Sequence, residues 1–273
     1  MIIGQYIEDG INWLTENFSG VFDGINVGMS SLIGVIEAFW IWLPFYVVIA
    51  LFTALALWKA GRQNAILTVL GLTFIYFTGF WEETMQTFSL VLASAIIALA
   101  IGIPLGIWSA KNSTASSIIR PILDFMQTMP AFVYLIPAVL FFGLGTVPGA
   151  FATIIFAMPP VVRLTSLGIK QVPEDIVEAT KAFGATPRQL LIKVQLPLAM
   201  PTILAGVNQT IMMSLSMVVI ASMIGAKGLG EIVLQGISQL RIGLGFESGL
   251  AVVLLAIILD RITQNLGKKP KNK

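Results

Sequence analysis

Apolar residues fill this chain in long blocks, and the polar positions between them predict where helices begin and end. Over residues 1–26, Ile3, Ile7, Ile11, Leu14, Phe18, Phe22 and Ile25 recur every three or four positions, with Gln5, Glu8, Asp9, Asn12, Glu16 and Asp23 off that stripe. This spacing gives a helix one apolar face. The segment is too polar to cross a bilayer, and suits a helix lying in the membrane interface or packed on the protein's own outer surface. It carries no Lys or Arg, which is unusual for an interfacial helix and argues against a secretory leader. Residues 27–38 are small and apolar but interrupted by Glu37, and no crossing is expected there.

Seven further blocks approach the roughly 20 apolar residues that a membrane helix needs. They cover residues 40–58, 65–81, 87–108, 125–144, 150–167, 201–224 and 248–259, the last with a start expected a few residues earlier. Pro130 and Pro137 are expected to kink the fourth block, and Pro159, Pro160 and Arg163 fall in the second half of the fifth. Trp residues at several block ends suit interfacial anchoring. The expected fold class is all-α, a polytopic membrane helix bundle of about seven spans. Its expected organisation is an amphipathic extracellular-side segment at 1–38, peripheral spans at 39–83, a core domain at 84–267 and a basic tail at 268–273.

Composition agrees with the pattern. The chain of 273 residues is 56% hydrophobic and 11% charged, where soluble domains carry about 25% charged residues; the mean hydropathy is +0.89. The lipid bilayer is the expected surrounding, and a net charge of +2 is too small to suggest a nucleic-acid partner. Neither Cys nor His occurs. That excludes disulfides, His/Cys metal centres, histidine proton relays and nucleophilic catalysis by Ser-His or Cys-His pairs. No catalytic set and no metal site is expected, and the chain does not read as an enzyme.

The placement of charge predicts orientation. With seven crossings, 14 of the 16 basic residues fall on one side and only Lys227 and Arg241 on the other. Basic residues concentrate on the cytoplasmic side, so the C-terminus is expected inside and the N-terminus outside. An extra crossing within residues 20–38 would move only the N-terminus. The predicted span centres hold no Asp, Glu, Lys or Arg; Asp124, Arg163 and Asp260 fall near cytoplasmic ends. That argues against a proton-driven transporter. The polar residues inside the spans are neutral: Gln127 and Thr128 in the fourth, Asn208, Gln209, Ser214 and Ser216 in the sixth. They are candidates for a translocation path, or for hydrogen bonds between helices. Gly102 and Gly106 form a small-residue pair expected to serve helix packing.

One stretch breaks the apolar pattern late in the chain. Residues 172–201 carry six charges: Glu174, Asp175, Glu178, Lys181, Arg188 and Lys193. Pro173 with Glu174 and Asp175 marks a helix start, and Gly184 a helix stop. Thr186-Pro187 marks a second start, and Pro197 is the expected limit of that second helix. The residues alone are compatible with a plain solvated loop or with a helix-turn-helix that meets a partner.

The spacing adds a resemblance. Glu178-Ala179-Thr180, Gly184 and Val194-Gln195-Leu196-Pro197 resemble the signature loop of permease subunits of ABC importers: Glu-Ala-Ala, three residues, Gly, nine residues, Ile, one residue, Leu-Pro. Thr180 and Val194 are the two departures. The stretches 124–137, 156–173 and 208–230 look like the branch that carries glycine betaine, proline betaine and related quaternary amines. The resemblance covers residues 81–265. It implies a type I ABC importer permease fold, two permease copies, two cytoplasmic ATP-binding subunits holding ATP and Mg²⁺, and an extracellular substrate-binding protein. In that scheme Glu178, Ala179, Gly184, Val194, Leu196 and Pro197 belong to the ATPase-coupling loop, residues 172–200. Choline, carnitine or another small solute is the alternative cargo, and a stand-alone secondary transporter or channel the alternative class.

Overall fold

A computed structural model describes residues 2–265, without the side chains of residues 2–4 and 7. Ile3 and Ile7 of the amphipathic stripe, and the basic tail at 268–273, lie outside the described side chains. The described residues form helices and turns only: α1 (Ile2–Asn17), α2 (Ser19–Trp42), α3 (Phe45–Lys59), α4 (Arg62–Phe77), α5 (Trp81–Lys111), α6 (Ser113–Thr128), α7 (Ala131–Phe142), α8 (Thr146–Lys170), α9 (Glu174–Ala182), α10 (Pro187–Leu190), a wide turn (Leu191–Gln195), α11 (Leu196–Ser216), α12 (Val218–Ser222), α13 (Leu229–Ser238) and α14 (Ile242–Gln264). Five described helices are long and apolar enough to cross a membrane: α2, α5, α8, the run from α10 through α12, and α14. The α6–α7 pair meets the same test only as a unit.

Prolines account for most departures from the expected boundaries. The block at 40–58 is two elements, because Leu43 is extended (ψ 130°) before Pro44, which caps α3. A residue before proline is pushed out of the helical region. The same effect at Met129 (ψ 135°) turns the expected kink at Pro130 into a 100° bend between α6 and α7. Pro137 sits inside α7 without ending it. The amphipathic segment also stops early: α1 ends at Asn17, and α2 restarts at Ser19 and runs on to Trp42. α13, between the last two spans, had no counterpart in the apolar pattern.

α5 and α8 run side by side in the same direction. Their starts converge where Leu90 meets Ala221 and Ala226, and where Gly149 lies against the same two alanines. Their ends converge where Lys111 and Lys170 border one cavity. α2 meets the bundle near the starts at both of its ends. Phe22 stacks on Phe141 with ring centroids 4.4 Å apart, and Trp40 meets Phe88 of α5 at 5.1 Å. Asn26, Ser30 and Glu37, spread over three turns, all face the α7–α8 turn at residues 144–148. α2 therefore runs over that end of the bundle, despite having the composition of a crossing helix.

The core is held by backbone-close packing. A Cβ on Gly102 would stand 2.5 Å from Val161, and one on Gly106 2.8 Å from the Val162 carbonyl oxygen, so α5 and α8 approach more closely than larger residues permit. Gly168 and Gly206 do the same between α8 and α11, against Thr202 at 3.0 Å and Val161 Cα at 3.1 Å. With little hydrophobic drive between helices in lipid, this fit supplies much of the association energy.

Candidate functional site

The charged stretch folds as a hairpin tip on the paired stems α8 and α11. α9 starts behind Pro173 with Glu174 and Asp175 in its first turn, where acids complement the helix dipole. It ends two residues before Gly184, whose φ of +79° is readily available only to glycine. Thr186 then opens the second helix with a reciprocal cap. Its Oγ1 accepts the Gln189 N–H at 3.3 Å, and Gln189 Oε1 accepts the Thr186 N–H at 2.8 Å. The Thr-x-x-Gln pattern that encodes this box is present in the sequence and extends the Thr186 cap expected there.

Pro197 does not end that helix, contrary to expectation. Residues 191–195 widen by one residue per turn, and the Leu196 N–H reaches back five residues to the Leu191 carbonyl. The wider turn accommodates a proline that has no N–H to offer, so α10 leads without a break into α11. The second arm of the tip is thus continuous with a membrane-length helix, and Lys170 and Gln171 join the first arm to α8.

The tip touches the bundle at few points. Val172 and Leu190 are buried, while Glu178, Ala179 and Gly184 are exposed and Phe183 is 92% exposed. Val194 and Leu196 are half-buried where the second arm enters the bundle, and Pro197 is exposed. A cavity of about 540 Å³ separates the tip from the ends of α5 and α8, walled by Lys111, Lys170, Glu174, Val177, Lys181 and Leu190. Phe183 and Glu178 are thus the exposed apolar and acidic groups of the tip.

The six candidate path residues separate into three kinds. Gln127 and Asn208 make hydrogen bonds between helices: Gln127 accepts from Arg163 of α8, and Asn208 donates to Asp260 of α14 at 3.0 Å and accepts from Thr263. Ser214 is buried and donates to the Thr210 carbonyl at 2.9 Å. Thr128, Gln209 and Ser216 are exposed, with the Thr128 and Ser216 hydroxyls turned back to the carbonyls of Phe125 and Met212. Asp124 and Arg163, separate end charges in the sequence, form an ion pair between α6 and α8. They are 39 residues apart, and no local pattern announces their meeting.

Comparison with known proteins gives this geometry a family. Residues 102–272 match the family described as "Binding-protein-dependent transport system inner membrane component". The chain belongs to that family. Over 271 residues the permease is 50% identical to the glycine betaine transport system permease protein OpuAB of Bacillus subtilis (strain 168), covering 99% of this chain and 96% of the relative. It is 49% identical to the glycine betaine/proline betaine transport system permease protein ProW of Escherichia coli (strain K12), covering 99% of this chain and 77% of that one. It is also 49% identical to the glycine betaine/carnitine transport permease protein GbuB of Listeria monocytogenes serotype 1/2a (strain 10403S), covering 99% and 97%. The fold matches an inward-facing crystal form of the MetNI methionine ABC transporter with a TM-score of 0.59 at 22% identity, over 68% of this chain and 94% of the other. The permease is a membrane-spanning transport subunit of a binding-protein-dependent ABC importer, and not an enzyme. Its family implies an ATPase and a substrate-binding protein as partners, and an inner-membrane location.

Proposed function

We propose that the permease imports glycine betaine or a closely related quaternary amine, and that the tip at 172–200 transmits ATP-driven movement from a cytoplasmic ATPase. Two copies of the chain pair around the path, and ATP and Mg²⁺ reside on the partner ATPase. An extracellular binding protein delivers the solute to the opposite face. The tip, the Lys59–Arg62 turn and the C-terminal end of α14 face the cytoplasm, where basic residues concentrate. The cargo reading rests on near full-length identity to relatives whose names specify glycine betaine.

The observation that carries the coupling role is the continuity of the tip with its stems. Phe183 and Glu178 project from the bundle, while α8 and α11 below them are locked through Gly168 and Gly206. A force on the tip therefore displaces a packed helix pair rather than a loose loop. The ATPase shifts the permease between its states only through contacts that differ between them, and the exposed Phe183 ring and Glu178 carboxylate can supply such contacts.

The test is reconstitution with the ATPase and binding protein in vesicles, with uptake and ATP hydrolysis measured for glycine betaine, carnitine, choline and proline. Glycine betaine is expected to stimulate hydrolysis and to accumulate. Failure of all four solutes would remove the cargo reading. Glu178→Lys is expected to leave the permease inserted while abolishing ATP-driven uptake, and normal uptake by that variant would remove the coupling role.

A further inference from the structure

Among the described residues one contact joins opposite charges: Arg163 Nη2 of α8 with Asp124 Oδ1 of α6. Arg163 lies seven residues before the end of α8, about 10 Å along the helix axis at the usual rise. An ionised group in a membrane-length helix is costly unless it faces a water-filled space or a partner charge. Arg163 has both. It borders a cavity of about 420 Å³ between α5, α6 and α8, whose polar wall is Ser109, Arg120, Asp124, Arg163, Ser166 and Lys170. The pair is open to that space, with Arg163 40% and Asp124 67% exposed. Gln127 accepts a further hydrogen bond from the guanidinium, and Lys170 donates to Ser116 at 3.3 Å.

We propose that Asp124, Arg163 and their cavity form an inner relay site for a zwitterionic solute, in which Arg163 takes the carboxylate and Asp124 faces the cationic end. The inference rests on the quaternary-amine reading above. The guanidinium offers a planar fork that grips a carboxylate through two parallel bonds, and the cations at Arg120 and Lys170 reinforce the attraction for that end. A solute with both charges replaces each partner by its like, so opening the pair leaves no charge uncompensated. An exposed ion pair is worth little, so the exchange is close to neutral, and the solute enters and leaves without being trapped. A purely cationic solute would leave Arg163 unpaired, and an anionic one would leave Asp124 unpaired.

The closing experiment uses the complete reconstituted complex carrying Asp124→Asn, Arg163→Gln, or the exchange Asp124→Arg with Arg163→Asp. Hydrolysis stimulated by the binding protein reports assembly and coupling, and labelled glycine betaine reports uptake. All three variants are expected to keep stimulated hydrolysis within about twofold, while uptake per ATP falls about tenfold, as loss of a charge-assisted hydrogen bond predicts. Recovery of uptake by the exchange variant would make the pair a structural tie and overturn the proposal. Normal uptake by the single variants, or a parallel loss of hydrolysis, would overturn it too. If the unaltered complex moves no betaine, the cargo reading fails first and the relay site falls with it.

Discussion

Gly106 of α5 lies so close to Thr165 of α8 that a Cβ added to the glycine would stand 2.6 Å from the threonine Cβ. The neighbouring Val162 carbonyl oxygen, at 2.8 Å, is backbone and cannot turn aside. Gly106→Ala is expected to destabilise the permease by about 1–3 kcal/mol, the usual cost of overpacking, and Gly106→Leu by more. Gly34→Ala, where nothing lies within 4 Å, is expected to be neutral or slightly stabilising, since alanine is the better helix former. Thermal unfolding of the detergent-solubilised chain distinguishes the two sites, and equal behaviour would remove the close-packing account.

Gly184 poses the opposite problem, since it has space but an unusual backbone. No atom lies within 4 Å of an added Cβ, yet φ is +79°. Gly184→Val is expected to strain the turn by about 1–2 kcal/mol while the membrane helices stay folded. The expected signature is normal insertion and melting with a reduced ratio of uptake to ATP hydrolysis. An unchanged ratio would show that the tip tolerates a different turn.

The reciprocal cap at Thr186 and Gln189 is local. Thr186→Ala is expected to cost about 1 kcal/mol at the start of α10. Faster amide exchange over residues 186–195 would report it, with the membrane helices unaffected. Faster exchange across the whole chain would contradict a local role.

Asn208 ties α11 to α14 through Asp260, which also accepts from Gln264 at 2.7 and 2.9 Å. Asn208→Leu leaves the half-buried carboxylate one donor short. A loss of about 1–3 kcal/mol is expected, again read from thermal unfolding. If stability holds and uptake alone falls, Asn208 serves the path rather than the packing.

Much of this molecule is written locally. Long apolar blocks require helices, because backbone groups in lipid must be satisfied within the segment. The tip was legible because its devices are short-range: acids after Pro173, glycine at 184, a threonine cap at 186. Boundaries shifted wherever a proline acted through its neighbour. Leu43 and Met129 became extended, and Pro197 was absorbed by a widened turn that composition does not signal.

What sequence alone determined is the class of the fold, the helical tip and the family signature, all of which depend on residues within a few turns of each other. Tertiary structure alone decided which polar residues meet. Gln127 and Asn208 read alike in the chain as neutral groups inside apolar blocks, yet one is drawn to Arg163 and the other to Asp260. α2 has the composition of a crossing helix, but its contacts lay it over one end of the bundle. Such outcomes follow from packing between segments tens of residues apart, where the close approaches at Gly102, Gly106, Gly168 and Gly206 set the geometry, and no local period records them.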